Sequence, residues 1–410
     1  MHASAPMKSI TVFGVSLLLI CSGVAFAQRE TKTPVGEGTT EDTPRPKPVE
    51  PPKLEAIEKS ISKGVDYLLR AQNKNGSWGS ATNTKGLNIY APVPGAHHAF
   101  RAAVTAMAIS ALIETGSAEG DDKVAATLQR GEEWLLANLP GVRRATGVAI
   151  YNTWAHGYGC QALAHMLRRE ANAERKAKIE AVIATQLKRL ESYESIDGGW
   201  GYYDFRAQTK RPSSSSISFM TATMLIAFHD LKEAGIEVPR RLVDRGIASI
   251  NRQRKPDNTY AYGEYLKMQP MRGINRPSGS LGRSQACNLA LRLWGDETIT
   301  DEVMHTWLDR LWARNGWLDM GRKRPIPHES WAQVAGYFYY YGHYYAALGI
   351  ENLPPEATRA HKHQLATILM QKQEKDGTWW DFPLYNYHQQ YGTAFALMSL
   401  ARCRDSLPRP

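Results

Sequence analysis

Apolar positions along this chain of 410 residues follow two patterns that alternate six times. Segments with one charged face are each followed by a segment with almost no polar face, such as RAAVTAMAISALI at 101–113. A helix that is apolar all round must be surrounded by protein, whereas a helix with one charged face lies against water. The period of the pattern favours helices over strands throughout. The sequence therefore predicts an all-α fold, an α6-α6 toroid in which six inner helices are wrapped by six outer helices.

The predicted helices are joined by loops of two different kinds. The outer helices are predicted at about 56–71, 122–137, 174–191, 240–254, 300–313 and 357–374. The inner helices are predicted at about 101–113, 157–167, 216–228, 284–294, 335–348 and 391–401. Loops from an outer to an inner helix are long and aromatic, whereas loops from an inner to an outer helix are short. In a closed ring the long loops all emerge on one face, and loops of this kind usually carry function.

The long-loop face is also predicted to carry the N-termini of the six inner helices. The first N–H groups of a helix have no partner within that helix, and the helix dipole is positive at this end. We therefore expect the mouth formed by the long loops to favour electron-rich or anionic ligands.

A short motif ends an outer helix near each end of the chain. Residues 72–78 read QNKNGSW and residues 373–379 read QEKDGTW, and shorter copies with Gly and Trp occur at 197–200 and 315–317. The glycine permits a left-handed turn after the helix, the tryptophan can pack over the next helix, and the glutamine can bond an open helix end. The motif resembles the QW repeat of the terpenoid cyclase and protein prenyltransferase superfamily, and the resemblance covers about 54–405.

The resemblance implies the toroid, and the chain looks like the exported bacterial members that have a single toroid. It implies no particular reaction, because the motif is structural in that superfamily. The Asp-x-Asp-Asp run with which squalene–hopene-type cyclases protonate their substrate is missing from this sequence. None of Cys160, Cys287 and Cys403 has an Asp two residues before it, as the zinc site of protein prenyltransferases requires. No cofactor and no metal are therefore predicted.

Histidine and tyrosine residues occur just before or at the start of the predicted inner helices, on the long-loop face. Histidine exchanges protons near neutral pH, and Tyr, His and Arg together suit proton abstraction beside a carboxylate. The candidate catalytic residues are His156, His328, Glu329, His388 and Tyr391. The candidate ligand-binding residues are His97, His98, Arg101, Tyr151, Asn152, Trp154, Arg283, Trp331, Tyr341 and Tyr387. The alternative is that these side chains cap helices and fill the space between aromatic rings.

Three aspartates, Asp204, Asp319 and Asp381, follow Gly-Trp turns at similar repeat positions. This recurrence predicts a structural task, such as capping a helix or accepting hydrogen bonds from loop N–H groups. His156 and Cys160 lie four residues apart and could share a metal, but no third ligand stands near them in the sequence.

The N-terminal residues predict export. Residues 1–27 have the features of a signal peptide, with Lys8 before an apolar core and Ala25-Phe26-Ala27 as the cleavage site. Residues 28–53 are rich in Pro, Thr, Gly and charge, which predicts a disordered linker. We therefore expect the protein in the periplasm or outside the cell. Once Cys21 is removed with the signal peptide, we expect Cys160, Cys287 and Cys403 to be buried free thiols.

The formal net charge of +10 is spread along the predicted helices. Such a surface is either simply solvated or attracted to an anionic membrane surface or cell-envelope polymer. Nucleic acid is not expected as the partner of an exported chain, and a monomer is expected.

Three functions fit these features. The first is binding or cyclase-like processing of a hydrophobic, isoprenoid-type ligand in a pocket lined by aromatic residues of the fifth inner helix and its approach, which are Trp331, Phe338, Tyr340, Tyr341 and Tyr344. The second is a polysaccharide lyase acting on uronates, with Tyr and His removing a proton and Arg or Asn neutralising the sugar carboxylate. The third is a non-catalytic cell-envelope interaction module. The sequence favours the first and leaves open whether the protein is an enzyme.

Overall fold

The chain folds into alternating outer and inner helices. The computed structural model describes residues 44–85, 96–142, 152–202, 212, 216–329 and 331–404. The inner helices are α2 (Ala96–Glu114), α4 (Asn152–Arg169), α6 (Ser218–Glu233), α8 (Leu281–Leu293), α11 (Phe338–Glu351) and α13 (Tyr387–Arg404). The outer helices are α1 (Leu54–Ala71), α3 (Asp122–Asn138), α5 (Ala173–Tyr193), α7 (Arg240–Gln253), α9 (Asp301–Ala313) and α12 (Pro355–Gln371). A short helix, α10 (Asn315–Asp319), lies between α9 and α11.

The inner helices form a closed ring. Each packs against the next inner helix along the chain, and α13 returns to pack against α2. Most residues of α6 and α11 are buried on all sides of the helix, whereas the outer helix α7 buries only one face, at Leu242, Val243, Gly246 and Ile250. The described residues form isolated bridges but no sheet. The predicted all-α toroid of six inner and six outer helices is therefore confirmed.

The tryptophans of the repeated motif make the same contacts in three repeats. Trp78, Trp200 and Trp379 are fully buried. Each indole N–H donates a 2.8 Å hydrogen bond to a leucine carbonyl ten residues earlier, near the end of the preceding outer helix. Each peptide N–H donates to a threonine hydroxyl in the following inner helix. The motif therefore joins the outer and inner helix of its own repeat.

The glycine of the motif joins its repeat to the next one. Gly76, Gly198 and Gly377 have φ of +91°, +98° and +89°, in the region that favours glycine. A Cβ at Gly377 would lie 2.4 Å from the carbonyl oxygen of Lys63 in α1, and Gly76 and Gly198 approach α3 and α7 in the same way. Because Gly377 belongs to the last repeat and Lys63 to the first outer helix, this contact closes the outer ring.

The copy of the motif predicted at 315–317 does not form in the structure. The fourth repeat instead contains a copy that the sequence did not reveal. Gly316 lies inside α10, where a Cβ would meet nothing within 4 Å, and Trp317 is only partly buried. In the fourth repeat Asn258 takes the position of the glycine, with φ of +59°, and the fully buried Tyr260 takes that of the tryptophan. The missed copy uses the non-glycine residue that most readily adopts this conformation.

A second contact closes the inner ring at the short-loop end. Arg402 near the end of α13 pairs with Glu114 at the end of α2, and its Nε lies 2.9 Å from a carboxylate oxygen of Glu351 in α11. The carboxylate of Glu114 also lies 3.6 Å from Nδ1 of His165 in α4. The first and last inner helices are thus joined by charged groups that are mostly buried.

Residues before α1 divide into two parts. The predicted signal peptide and residues 28–43 of the predicted linker lie outside the described residues. Residues 44–53 contain no helix or strand, and the Gln364 side chain of α12 donates a hydrogen bond to the carbonyl of Lys47. This end of the linker therefore contacts the outer ring. Among the described helices, none combines the length and hydropathy needed to cross a membrane.

Candidate functional site

A cavity of about 130 Å³ lies inside the inner ring. Phe338 and Tyr387 are the first residues of their helices and Phe219 the second of its helix, so the cavity lies at the long-loop end. Twelve of its sixteen lining residues are aromatic. The lining consists of Phe100, Ala103, Val104, Met107, Trp154, Tyr158, Tyr202, Phe219, Tyr337, Phe338, Tyr341, Phe382, Leu384, Tyr387, Tyr391 and Phe395.

Helical spacing aligns these rings. Trp154 and Tyr158 lie one turn apart on α4, and their rings stack with centroids 5.5 Å apart and an interplanar angle of 7°. Tyr387, Tyr391 and Phe395 follow one another at intervals of four on α13. Residues three or four apart share one face of a helix, so α4, α11 and α13 each present two or more rings to the cavity, whereas α2 and α6 contribute one ring each.

The tyrosines at the cavity present their rings to it and bond their hydroxyls to protein. Tyr341 donates to the carbonyl of Phe219 at 2.9 Å, and Tyr387 lies 3.1 Å from Nδ1 of His97. Tyr391 donates to Oδ1 of Asp381 at 2.6 Å. Satisfying these hydroxyls within the protein leaves an apolar surface, which favours an apolar or aromatic ligand.

Asp381 is fully buried at the edge of this cavity. Burial raises the pKa of its carboxyl to about 7, against the opposing effect of the hydrogen bond from Tyr391. Its other oxygen accepts the N–H of Tyr340, the third residue of α11, at 3.0 Å. This bond confirms the predicted structural task at this position. The same carboxyl is connected to the cavity through Tyr391, which lines the cavity and bonds it.

The other two recurrent aspartates differ from Asp381. Asp319 forms ion pairs with Arg322 at 2.5 Å and with Lys372 at 3.0 Å, and so joins α10 to the end of α12. Burial opposes ionisation of Asp319, but the hydrogen bonds from these two cations outweigh it and its pKa is lowered. Asp204 lies outside the described residues.

His328 is connected to the cavity through Tyr337. Its Nδ1 lies 2.8 Å from the carbonyl oxygen of Gln333, and its Nε2 lies 3.1 Å from the Tyr337 hydroxyl. Burial, together with the charges of Arg283 and Arg272, lowers the pKa of His328. Glu329, the predicted neighbouring acid or base, is exposed and does not line the cavity.

Three further predicted site residues are fully or largely buried and do not line the cavity, and two of them are histidines. His156 is fully buried and turned towards α5, where Nδ1 lies 2.7 Å from the Gln186 amide oxygen. His388 is also buried, packs against Trp380, and does not line the cavity. Burial lowers the pKa of both imidazoles to about 4, so both are neutral at neutral pH. The prediction that these two histidines reach the mouth is wrong, because their ring positions fall on other faces of their helices.

The third is Arg283, which does not line the cavity. Its guanidinium is fully buried and donates to the carbonyl oxygens of Gly279, Tyr260 and Ile274. These bonds fix the loop before α8. They also engage the guanidinium that was expected to neutralise a ligand carboxylate.

The other predicted ligand-binding residues fall into four groups. Trp154, Tyr341 and Tyr387 line the cavity, as does Tyr391, which the sequence offered as a catalytic candidate. His97 and Arg101 stand behind this lining; His97 bonds Tyr387, and the Nε of Arg101 donates to the carbonyl of Gly79 at 3.3 Å. His98 is exposed. Tyr151 and the side chains of Asn152 and Trp331 lie outside the described part of the chain.

The helix N-termini at the cavity are used by the protein itself. The N–H of Ser218, which begins α6, donates to the carbonyl of Tyr262 at 3.2 Å, and Asp381 accepts the N–H of Tyr340 in α11. At these two helices the expected binding of an electron-rich ligand by N–H groups is therefore replaced by internal bonds.

Several lining residues were not identified from the sequence, including Phe100, Tyr202, Phe219, Phe382 and Phe395. For Phe395 the available signal was the spacing of aromatic residues on α13, since Phe395 follows Tyr391 by four residues. Of the predicted aromatics of the fifth inner helix, Phe338 and Tyr341 line the cavity, whereas Tyr340 and Tyr344 are buried outside its lining.

The described residues contain no group of three or more His, Cys, Asp or Glu side chains that could hold a metal ion. Cys160, Cys287 and Cys403 are buried free thiols, as expected. Burial raises the pKa of each to about 12, so each is protonated at neutral pH. A second hollow, at the short-loop end beside Trp294, is lined by Lys232, Glu237 and Arg240 and lacks the converging aromatic rings of the cavity.

Comparison with known proteins agrees with this architecture. The family model of the squalene-hopene cyclase C-terminal domain matches residues 45–268, which is more than half of the chain. Three solved structures are similar in fold and cover most of this chain.

The first is an inactive variant of the α-1,6-mannanase GH76A of Salegentibacter sp. HEL1_6, in complex with α-1,6-mannotriose (10% identity, 85% of this chain and 98% of that chain, TM-score 0.51). The second is a possible member of the GH105 family from Klebsiella pneumoniae (11% identity, 88% and 95%, TM-score 0.53). The third is the cellobiose 2-epimerase of Spirochaeta thermophila (13% identity, 86% and 97%, TM-score 0.53). At these identities the likeness concerns the fold alone.

Proposed function

The chain belongs to the squalene-hopene cyclase C-terminal domain family, and on that premise we propose that its toroid binds a hydrophobic ligand of the isoprenoid type in the aromatic cavity. The observation that carries this proposal is the lining, in which twelve rings face one space and the tyrosine hydroxyls bond to the protein. Burying hydrocarbon against such a surface is favourable, whereas a polar ligand would find few hydrogen-bond partners there. Aromatic faces also stabilise positive charge on a bound group.

The size of the cavity fits one compact apolar group. An apolar cavity of about 150 Å³ is large enough to hold benzene, and the cavity here measures about 130 Å³. A branched unit of an isoprenoid chain would therefore fill it, and the remainder of a longer ligand would extend towards the long loops. Burying each CH₂ group contributes about 0.8 kcal/mol, so even a short chain would bind usefully.

Asp381 offers the cavity one route to acid–base chemistry. A carboxyl with a pKa of about 7 is partly protonated at neutral pH, and Tyr391 connects it to the lining. When Asp381 is protonated, its O–H can donate to the Tyr391 oxygen in place of the bond that Tyr391 donates to the ionised carboxylate, and a proton then passes from Asp381 to Tyr391 as the Tyr391 proton passes to the ligand. The toroid would then process its ligand and not only hold it.

A saccharide-active enzyme is the second candidate, because the three similar folds include an α-1,6-mannanase and a cellobiose epimerase. The inactive mannanase variant carries substitutions at two adjacent aspartates. The only adjacent aspartates in this sequence are Asp121 and Asp122. Asp121 caps the start of α3, at the short-loop end, by accepting from Lys123 N and Val124 N. Together with the internal bonds of Arg283, this placement favours the hydrophobic ligand.

The proposal is tested by native mass spectrometry of the protein after incubation with a total lipid extract. We expect a retained isoprenoid or lipid in the wild type and in Ala126→Leu, which enlarges an exposed residue of α3. Ala103→Leu enlarges a lining residue by the same amount and should remove the retained ligand. Equal retention by both variants, or no retention by the wild type, would overturn the proposal. New absorbance from unsaturated uronate after incubation with anionic polysaccharides would support the saccharide enzyme instead.

A further inference from the structure

A line of hydrogen bonds connects the cavity to His328 across three long loops. The hydroxyls of Tyr202 and Tyr262 lie 2.9 Å apart, and those of Tyr262 and Tyr337 lie 3.2 Å apart. Tyr337 in turn lies 3.1 Å from Nε2 of His328. Tyr202 and Tyr337 line the cavity, whereas Tyr262 and His328 stand behind them. The first and last residues of the three-tyrosine line therefore belong to the cavity lining.

The direction of these bonds follows from Gln333. Its carbonyl oxygen, 2.8 Å from Nδ1 of His328, can only accept, so Nδ1 carries the ring proton. His328 is neutral at neutral pH, because burial and the charges of Arg283 and Arg272 lower its pKa. Its Nε2 then has a lone pair, and Tyr337 must donate to it. Because Tyr337 gives its only hydroxyl proton to His328, Tyr262 must donate to Tyr337. By the same argument, Tyr202 donates to Tyr262.

The backbone that holds His328 is strained. His328, Ala332 and Gln333 have φ of +65°, +61° and +57°, a region that residues other than glycine seldom adopt. Such conformations persist where the surroundings fix them, and they concentrate at ligand sites. Here they place the Gln333 carbonyl on one nitrogen of the ring and Tyr337 on the other.

We propose that the ligand of the cavity carries a hydroxyl group that donates a hydrogen bond to the Tyr337 oxygen, and that His328 is the positioning residue that makes this oxygen an acceptor. The inference rests on the proposed function, since it needs a ligand among the aromatic rings. A ligand with a keto or ether oxygen cannot donate, so two acceptors would face each other in an apolar space. Sites built in this way discriminate strongly against the analogue that lacks the matching group.

Calorimetry with three probes of similar shape tests the inference. Naphthalene has no polar group, 2-naphthol can donate a hydrogen bond, and 2-methoxynaphthalene can only accept one. In the wild type we expect 2-naphthol to bind about tenfold more tightly than 2-methoxynaphthalene, as for one matched hydrogen bond. In Tyr337→Phe the ratio between these two probes should fall to that expected from their size. Tyr339→Phe removes a buried hydroxyl outside the lining, where it donates to Asn315, and should keep the wild-type ratio.

His328→Gly separates positioning from a merely structural role, because glycine suits the φ of +65° at this position. Without the imidazole, the Tyr337 proton is free to turn to the ligand. We expect affinity for 2-methoxynaphthalene to rise relative to 2-naphthol while affinity for naphthalene stays unchanged. A general loosening would lower all three affinities together and would overturn the assignment of His328.

The two proposals fail in different ways. Absence of naphthalene binding to the wild type would contradict the hydrophobic cavity itself. Binding of naphthalene without any preference for 2-naphthol, or a preference that survives in Tyr337→Phe, would overturn the hydroxyl inference and leave the cavity intact.

Discussion

The Tyr391 hydroxyl lies 2.6 Å from Oδ1 of Asp381, and the other oxygen of that buried carboxyl accepts the N–H of Tyr340. One side chain therefore holds the start of α11 and the edge of the cavity at the same time. A carboxyl in this position is costly to ionise, because no water reaches it. The stability of the toroid should consequently depend on the protonation of Asp381.

Asp381 should make the protein less stable as the pH rises. Its pKa is about 7 in the fold against an ordinary value of 3.8, so between these values the folded state binds a proton that the unfolded state has lost. The contribution is complete below about pH 4 and is lost as the pH passes 7. At about 1.4 kcal/mol per unit, the free energy of unfolding should fall by roughly 4 kcal/mol across this range.

Urea unfolding of the wild type and Asp381→Asn at pH 5 and pH 8 measures this dependence, which the variant should lack. Asp319→Asn is the control: because the pKa of Asp319 is lowered from 3.8, its contribution is already complete at pH 5, so this variant should keep the wild-type pH dependence between pH 5 and pH 8. The same pH dependence in the wild type and in Asp381→Asn would show that another group is responsible.

Trp379 should contribute strongly to the stability of the ring. It is fully buried, and a Cβ at Gly64 in α1 would lie 2.9 Å from its ring, so the indole packs tightly between the last repeat and the first. Trp379→Ala should lower the free energy of unfolding by about 3–5 kcal/mol. Trp317→Ala, in the false fifth copy, should have a much smaller effect. Chemical denaturation of both variants makes the comparison, and equal losses would argue against the motif as the joint between repeats.

Gly377 and Gly316 should respond oppositely to alanine. At Gly377 the φ is +89° and a Cβ would lie 2.4 Å from the Lys63 carbonyl, so Gly377→Ala must shift backbone that closes the ring. Gly316 lies in a helix with open space around it, so Gly316→Ala should be neutral or stabilise by about 0.5–1 kcal/mol. Melting temperatures of the two variants distinguish these outcomes. A tolerated Gly377→Ala would contradict the close approach of the two repeats.

Arg402 should matter more than a surface arginine in a similar ion pair. Removing it leaves Glu114 mostly buried without its cation, so Arg402→Met should lower the free energy of unfolding by about 3–5 kcal/mol. Arg240→Met breaks an exposed pair with Asp244 and should change it by about 1 kcal/mol or less. Adding Glu114→Gln to Arg402→Met should recover part of the loss in a double-mutant cycle. No recovery would mean that the two side chains act independently.

The alternation of helices was predictable from sequence, because an inner helix must be apolar all round and an outer one need not be. Which residue of an inner helix faces the cavity depends on helical phase. Trp154 and Tyr158 lie four apart and face inward, whereas His156, two residues from each, faces α5. Two residues turn a helix by about 200°, so residues at this spacing lie on opposite sides. The distance of a histidine from the start of a helix therefore does not show whether its ring faces the cavity.

The role of Arg283 could not be read from its sequence position. Its three acceptors are backbone carbonyls of residues 260, 274 and 279, which the chain brings together only when the loop before α8 folds. The fourth motif copy was hidden for a different reason. Asn258 and Tyr260 replace the Gly and Trp that identify the motif, while keeping its backbone conformation and its buried ring.

The central claim is an apolar cavity enclosed by the starts of the inner helices, and xenon binding in crystals of the protein tests it most directly. Xenon occupies dry, apolar cavities. We predict a xenon peak in contact with Trp154, Tyr341 and Phe395, and its loss in Ala103→Leu while the fold is unchanged. Ordered water in that space, with xenon bound elsewhere or not at all, would contradict the account.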